Sequence, residues 1–120
     1  MPGEGLHAEI VDGPIGVVHV TGELDLSTVA HLCRAIHTAA SKTPRPRLIV
    51  DLTGLEFCDS TGLRGLIGGV KEVDVLGGKA VVAVEAGGML DRLLDLSGLS
   101  EFLRVTDSVE AAERRLTGRW

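Results

Sequence analysis

Aromatic side chains are almost missing from this 120-residue chain: Phe57, Phe102 and Trp120 are the whole set, and there is no tyrosine. A single-stranded nucleic-acid binder needs several rings on which bases can stack, so that class is disfavoured. An excess of positive charge is missing too, the formal net charge being −5. Displacing counterions from a duplex takes a basic stripe. Lys42, Arg45, Arg47 and Arg104 are too scattered to make one, and Arg114, Arg115 and Arg119 gather only near the C-terminus, where positive charge also suits a helix end. Direct contact with nucleic acid is therefore not expected. Only two cysteines occur, Cys33 and Cys58, with no CxxC and no histidine at metal-ligand spacing, so both are expected to be reduced and structural. No apolar run approaches the roughly 20 residues that span a bilayer. The opening Met1-Pro2-Gly3-Glu4-Gly5 has neither a basic segment nor an apolar one of signal-peptide type, and a cytoplasmic protein without membrane insertion is expected.

What is present is enough apolar sequence, 44%, for one core in a chain of single-domain length. Residues 1–5 read as a loose tail, 6–116 as the domain and 117–120 as a short C-terminal tail. His7 to Asp12 alternates weakly, Gly13-Pro14 marks a turn, and Ile15 to Thr21 is rich in β-branched residues, which together predict a hairpin. Gly22 to Ser27 breaks the strand pattern and offers Ser27 as an N-cap. From Val29 the positions Leu32, Cys33, Ile36 and Ala40 keep helical spacing until the prolines at 44 and 46. Leu48 to Leu52 predicts a buried central strand. Leu63, Leu66, Ile67 and Val70 predict a helix stopped by Gly77-Gly78. Lys79 to Val84 reads as a further strand, Met89 to Leu96 as a short helix with Leu90, Leu93 and Leu94 inward, and Phe102 to Val105 as a brief last strand. Asp107 with Glu110 resembles a capping box for a final helix bearing Val109, Ala112 and Leu116. Strands alternating with helices make an α/β fold: a mixed, mostly parallel sheet of four to five strands with an N-terminal hairpin, covered by about four helices.

The richest chemistry lies at Asp59-Ser60-Thr61-Gly62, where an apolar strand turns into a helix and two hydroxyls stand beside a carboxylate. Unpaired N–H groups and the helix dipole at such a point favour negative charge, so a hydroxyl there is either a cap or a place for a phosphate. Thr61, Arg64, Gly65, Gly68, Lys71 and Glu72 share the helix face opposite the apolar stripe. Each interior glycine costs about 1 kcal/mol relative to alanine. Two readings fit: tolerated surface residues, or a flat face on which a partner packs closely.

Other chemistries are poorly supported. The glycines at 62, 65, 68 and 69 fit neither G-x-G-x-x-G nor the P-loop, and Ser60 lacks the G-x-S-x-G elbow. His7, His19, His31 and His37 form no pattern with that serine. Asp51, near the end of a central strand, invites comparison with a phosphate-accepting aspartate, but no paired acids follow the first strand to hold the metal such chemistry needs. No metal, cofactor or catalytic residue is expected.

Asp59-Ser-Thr-Gly-Leu63 opening a helix, Gly22-Glu-Leu-Asp25, Asp51 with Phe57, and the element order over about Leu6 to Leu116 resemble the STAS domains, and among them the small bacterial anti-sigma factor antagonists. The resemblance implies a regulatory protein rather than an enzyme. In such proteins the unphosphorylated form binds an anti-sigma factor that is itself a serine kinase, the sigma factor is freed for transcription, phosphorylation of the hydroxyl turn ends the binding, and a serine phosphatase restores it. By that resemblance Ser60 is the phosphoacceptor, with Thr61 the alternative. Asp25, Asp59, Gly62, Arg64, Gly65 and Gly68 would join the two hydroxyls at the partner contact. Arg64 and Cys58 depart from the common family pattern, where glycine and a larger apolar residue are frequent. The alternative use of the fold is as an accessory or scaffold module of a transporter or sensory assembly.

Overall fold

A computed structural model describes residues 5–117, and the outermost parts of both expected tails, 1–4 and 118–120, lie outside the described residues. Gly5 is tied down, its carbonyl accepting from the Glu23 amide at 2.6 Å, and Thr117 closes the last helix. The elements follow the order β1 (Leu6–Val11), β2 (Gly16–Leu24), α1 (Val29–Ala40), β3 (Arg47–Cys58), α2 (Ser60–Val75), β4 (Lys79–Ala83), α3 (Met89–Leu96) and α4 (Val109–Thr117). They form the expected α/β domain, with one four-stranded sheet in the order β1-β2-β3-β4. The hairpin β1/β2 is antiparallel and the β2/β3 and β3/β4 pairs are parallel.

The alternation of side chains along the strands assigns the two faces of the sheet. Val18 and Val20 of β2, Leu48, Val50 and Leu52 of β3, and Ala80 and Val82 of β4 point into the larger core, against Leu32 and Ile36 of α1, Leu66, Val70 and Val73 of α2, and Leu90 and Leu94 of α3. The alternate residues Ile49 and Val81 meet Ala112 and Leu116 of α4 on the other side. Periodicity near 3.6 in the helices and 2 in the strands thus closes two layers of helix around one sheet.

Five local expectations change. β2 does not stop at Thr21 but runs on through Gly22, whose φ of +98° a side chain would strain, and irregularities in its pairing with β3 flank that stretch. β3 continues past Leu52 to Cys58 because the less apolar second half still finds register partners in Thr21 to Leu24. No strand forms at Phe102 to Val105; Thr106 makes a single bridge to Ala83. The last helix is capped by Ser108, whose hydroxyl accepts from the Ala111 amide at 3.0 Å, rather than by Asp107. Leu93, expected inward, lies at the edge of α3 and is partly exposed.

Candidate functional site

Because β2 and β3 run parallel with Leu24 opposite Cys58, the segments that leave them emerge side by side at one edge of the sheet. This is where open α/β sheets present their loops. The Asp59 amide donates to the Leu24 carbonyl at 3.1 Å and stitches the two exits together. Asp25, Leu26, Ser27 and Asp59 line the shallow hollow between them.

The first exit is built around Asp25. Its carboxylate accepts from the Ser27 amide at 2.9 Å and the Ser27 hydroxyl at 2.7 Å. The Ser27 hydroxyl, acting against a smaller opposing effect of desolvation, holds the Asp25 carboxyl below its ordinary range. Ser27 therefore serves the loop and does not cap α1, contrary to the expectation from its residue type. The residue before α1 is Thr28, buried, which accepts from the Asp25 amide at 3.0 Å and donates to the Glu23 carbonyl at 2.8 Å. Its two bonds fix the loop and leave Leu26 outermost, 76% exposed.

The second exit is the hydroxyl turn. Its cap is Asp59, in an extended conformation with φ −96° and ψ −178°, accepting from the Gly62 amide at 2.8 Å. The carboxylate thus takes the capping role, one of the two roles that the sequence left open for the hydroxyls. Ser60 is the first helical residue and exposed, Thr61 is half-buried, and neither hydroxyl enters a hydrogen bond among the described residues.

The expected flat face of α2 divides. A Cβ on Gly62 would stand 2.6 Å from both the Leu24 carbonyl oxygen and Leu24 Cγ, and one on Gly65 would stand 2.1 Å from Val29 Cγ2. Both glycines therefore let this chain's own β2 and α1 approach closely, and Gly65 is not part of an outward face. Glu72 also turns to α1, where its carboxylate meets His37 Nδ1 at 2.5 Å. Arg64, Gly68 and Lys71 stay exposed, and a Cβ on Gly68 would meet nothing within 4 Å. Arg64 makes no ion pair or hydrogen bond among the described residues. Leu26 is the residue of this edge that the sequence did not single out; its signal was a leucine between two loop residues of capping type.

Asp51 stands apart. It sits within β3, its carboxylate accepting from the Thr53 amide at 3.0 Å and hydroxyl at 2.7 Å and facing His19 Nδ1 at 2.7 Å. All those bonds fix it in the sheet, well short of the strand's end, and leave it unsuited to accept a phosphoryl group. Both cysteines are free thiols. Desolvation first, then the neighbouring Asp59 charge, pushes Cys58 up to about 11, so it remains protonated at neutral pH. Among the described residues no group of three or more His, Cys, Asp or Glu side chains could hold a metal, and no helix is long and apolar enough to cross a membrane.

Known proteins resemble this chain in sequence and in fold. An anti-sigma F factor antagonist of Paenibacillus polymyxa is 29% identical over 92 residues, covering 77% of this chain and 78% of that protein. One of Lysinibacillus sphaericus is 24% identical over 106 residues, covering 88% and 90% respectively. The crystal structure of an anti-sigma factor antagonist from Mycobacterium paratuberculosis superposes with a TM-score of 0.79 at 25% identity, covering 93% of this chain and 94% of that one. The family pattern described as STAS domain matches residues 7–112. With the sheet order, the two side-by-side exits and that match over most of its length, the chain belongs to the STAS domain family.

Proposed function

We propose that this chain is an anti-sigma factor antagonist, a regulator and not an enzyme, whose unphosphorylated form binds an anti-sigma factor with serine-kinase activity. The observation that carries the proposal is the unengaged Ser60 hydroxyl, exposed at the first position of α2 while Asp59 supplies the cap. The relatives named anti-sigma F factor antagonists support the class of partner. In the switching step Ser60 Oγ attacks the γ-phosphorus of kinase-bound ATP, the hydroxyl proton passes to a base on the kinase, and ADP leaves. Thr61, half-buried, is the alternative acceptor. A serine phosphatase reverses the step by hydrolysis.

The physical basis for release is charge. A phosphate adds about −1.5 to −2 at pH 7, beside Asp59 and across the hollow from Asp25. A partner surface fitted to a neutral hydroxyl then meets repulsion and an added desolvation cost, while this domain keeps its fold. The contact comprises Asp25, Leu26, Asp59, Ser60 and Thr61, with Arg64 and Gly68 along α2; Gly62 and Gly65 act by holding α2 against β2 and α1. The protein works in the cytoplasm, where its kinase, its phosphatase and the sigma factor would meet.

The test is to incubate the chain with candidate anti-sigma kinases and ATP and map the phosphate by mass spectrometry. Phosphate on Ser60, tight binding of Ser60→Ala and weak binding of Ser60→Asp are expected. Equal affinity of the two variants for a kinase that binds the native chain would overturn the mechanism.

A further inference from the structure

A cation stands one helical turn from Ser60 beside this acidic edge. Ser60 and Arg64 lie four residues apart in α2, which places them on one face of the helix, one turn from each other. Both are exposed, and Arg64 has no partner among the described residues. The hollow next to the turn is lined by Asp25, Leu26, Ser27 and Asp59, two of them carboxylates. Asp59 already occupies the Gly62 amide, so a phosphate on Ser60 cannot take that donor without displacing the cap.

We infer that Arg64 is a built-in clamp for the phosphorylated state, its guanidinium folding back one helical turn to pair with a phosphate on Ser60. The inference rests on the reading of Ser60 as the phosphoacceptor. Guanidinium matches phosphate geometry through paired N–H donors, and an anion at the first turn followed by a cation one turn later also agrees with the helix dipole. The pairing changes the switch in a definite way. In the unmodified protein Arg64 is free to reach outward. In the modified one it is drawn inward, so phosphorylation removes a positive charge from the contact face as well as adding negative charge. It also makes the phosphorylated domain self-sufficient, because part of the new charge is neutralised without any partner.

The experiment installs phosphoserine at position 60 during synthesis by codon reassignment, so that no kinase is involved, and follows the phosphate by 31P NMR across pH. The native chain, Arg64→Gln and Arg64→Lys are compared, with circular dichroism to verify that each is folded. The phosphoserine should titrate about 0.2–0.4 pH units lower in the native chain than in Arg64→Gln, as expected for a helical pair of this spacing. Arg64→Lys should recover part of the difference, and about 0.5 M salt should erase most of it. Identical titration in the native chain and Arg64→Gln overturns the clamp. A kinase that modifies another residue would overturn the assignment of Ser60 while leaving this measurement intact, so the two failures are distinguishable.

Discussion

His19 of β2 and Asp51 of β3 face each other across a parallel strand pair, with Nδ1 and Oδ2 separated by 2.7 Å. Their pairing sits on the sheet face away from the large core. The Asp51 carboxylate is a hub there, also taking the Thr53 amide and hydroxyl. Burial pushes the Asp51 carboxyl up, but the Thr53 hydroxyl and amide and His19 together outweigh it and hold the group below its ordinary value.

The sign of that balance sets a pH dependence. A carboxyl whose folded-state pKa is depressed stabilises the fold above its unfolded value of about 3.9 and loses that contribution as pH falls through the lower folded value. Asp51→Asn should therefore cost about 1 kcal/mol at pH 7, the difference between charged and neutral hydrogen bonds. Urea titrations of both proteins should show the gap closing as pH falls below about 4. A gap of equal size at pH 3 and pH 7 would assign the loss to packing instead.

The hydroxyl turn separates capping from signalling, and stability measurements can see the separation. Asp59 alone bonds the Gly62 amide, so Asp59→Ala should cost about 1 kcal/mol in thermal or denaturant unfolding. Ser60→Ala, which removes no hydrogen bond among the described residues, should stay within about 0.5 kcal/mol of the native chain. The reverse ranking would make Ser60 the cap.

The glycines of α2 predict opposite outcomes for one kind of substitution. At Gly68 an added Cβ meets nothing within 4 Å, so Gly68→Ala should stabilise by about 0.5–1 kcal/mol through helix propensity alone. At Gly62 the added carbon would press on the Leu24 backbone, which cannot rotate away, and Gly62→Ala should destabilise by about 1–3 kcal/mol despite the same propensity gain. Chemical denaturation of the two variants is sufficient to check both signs.

These cases mark how far the sequence could be read. The span of α3, Met89–Leu96, follows from leucine spacing and flanking glycines, and the hairpin from β-branched runs around Gly13-Pro14. β3 was legible only where it was apolar, because its second half is held by register with β2 rather than by its own pattern. Asp59, Ser60 and Thr61 are all capping types in a row, so composition could not choose among them. A glycine pressed against a neighbour and one facing solvent look alike in sequence: Gly65 and Gly68 differ only in what stands opposite, Val29 in one case and open space in the other. The His19–Asp51 pair needed a strand register that spacing alone does not supply.

Leu26 offers the sharpest way to separate docking from folding at this edge. It is 76% exposed and held outward by the bonds that Ser27 and Thr28 make beneath it, so Leu26→Ala should change unfolding stability by less than about 0.5 kcal/mol. On the proposed contact it would act as an apolar anchor within an acidic rim of Asp25 and Asp59, a pattern that fits a partner with an apolar pocket edged by basic residues. Burying a leucine side chain is worth about 1.5–3 kcal/mol relative to exposure, and truncation to alanine removes roughly two thirds of it. The affinity of the unphosphorylated chain for its kinase partner should therefore fall about 5- to 30-fold. Titration calorimetry against that partner measures the loss directly, and it should be lost through faster dissociation, because removing an uncharged anchor leaves long-range steering intact. Unchanged affinity with unchanged stability would move the contact off this edge and onto the exposed face of α2.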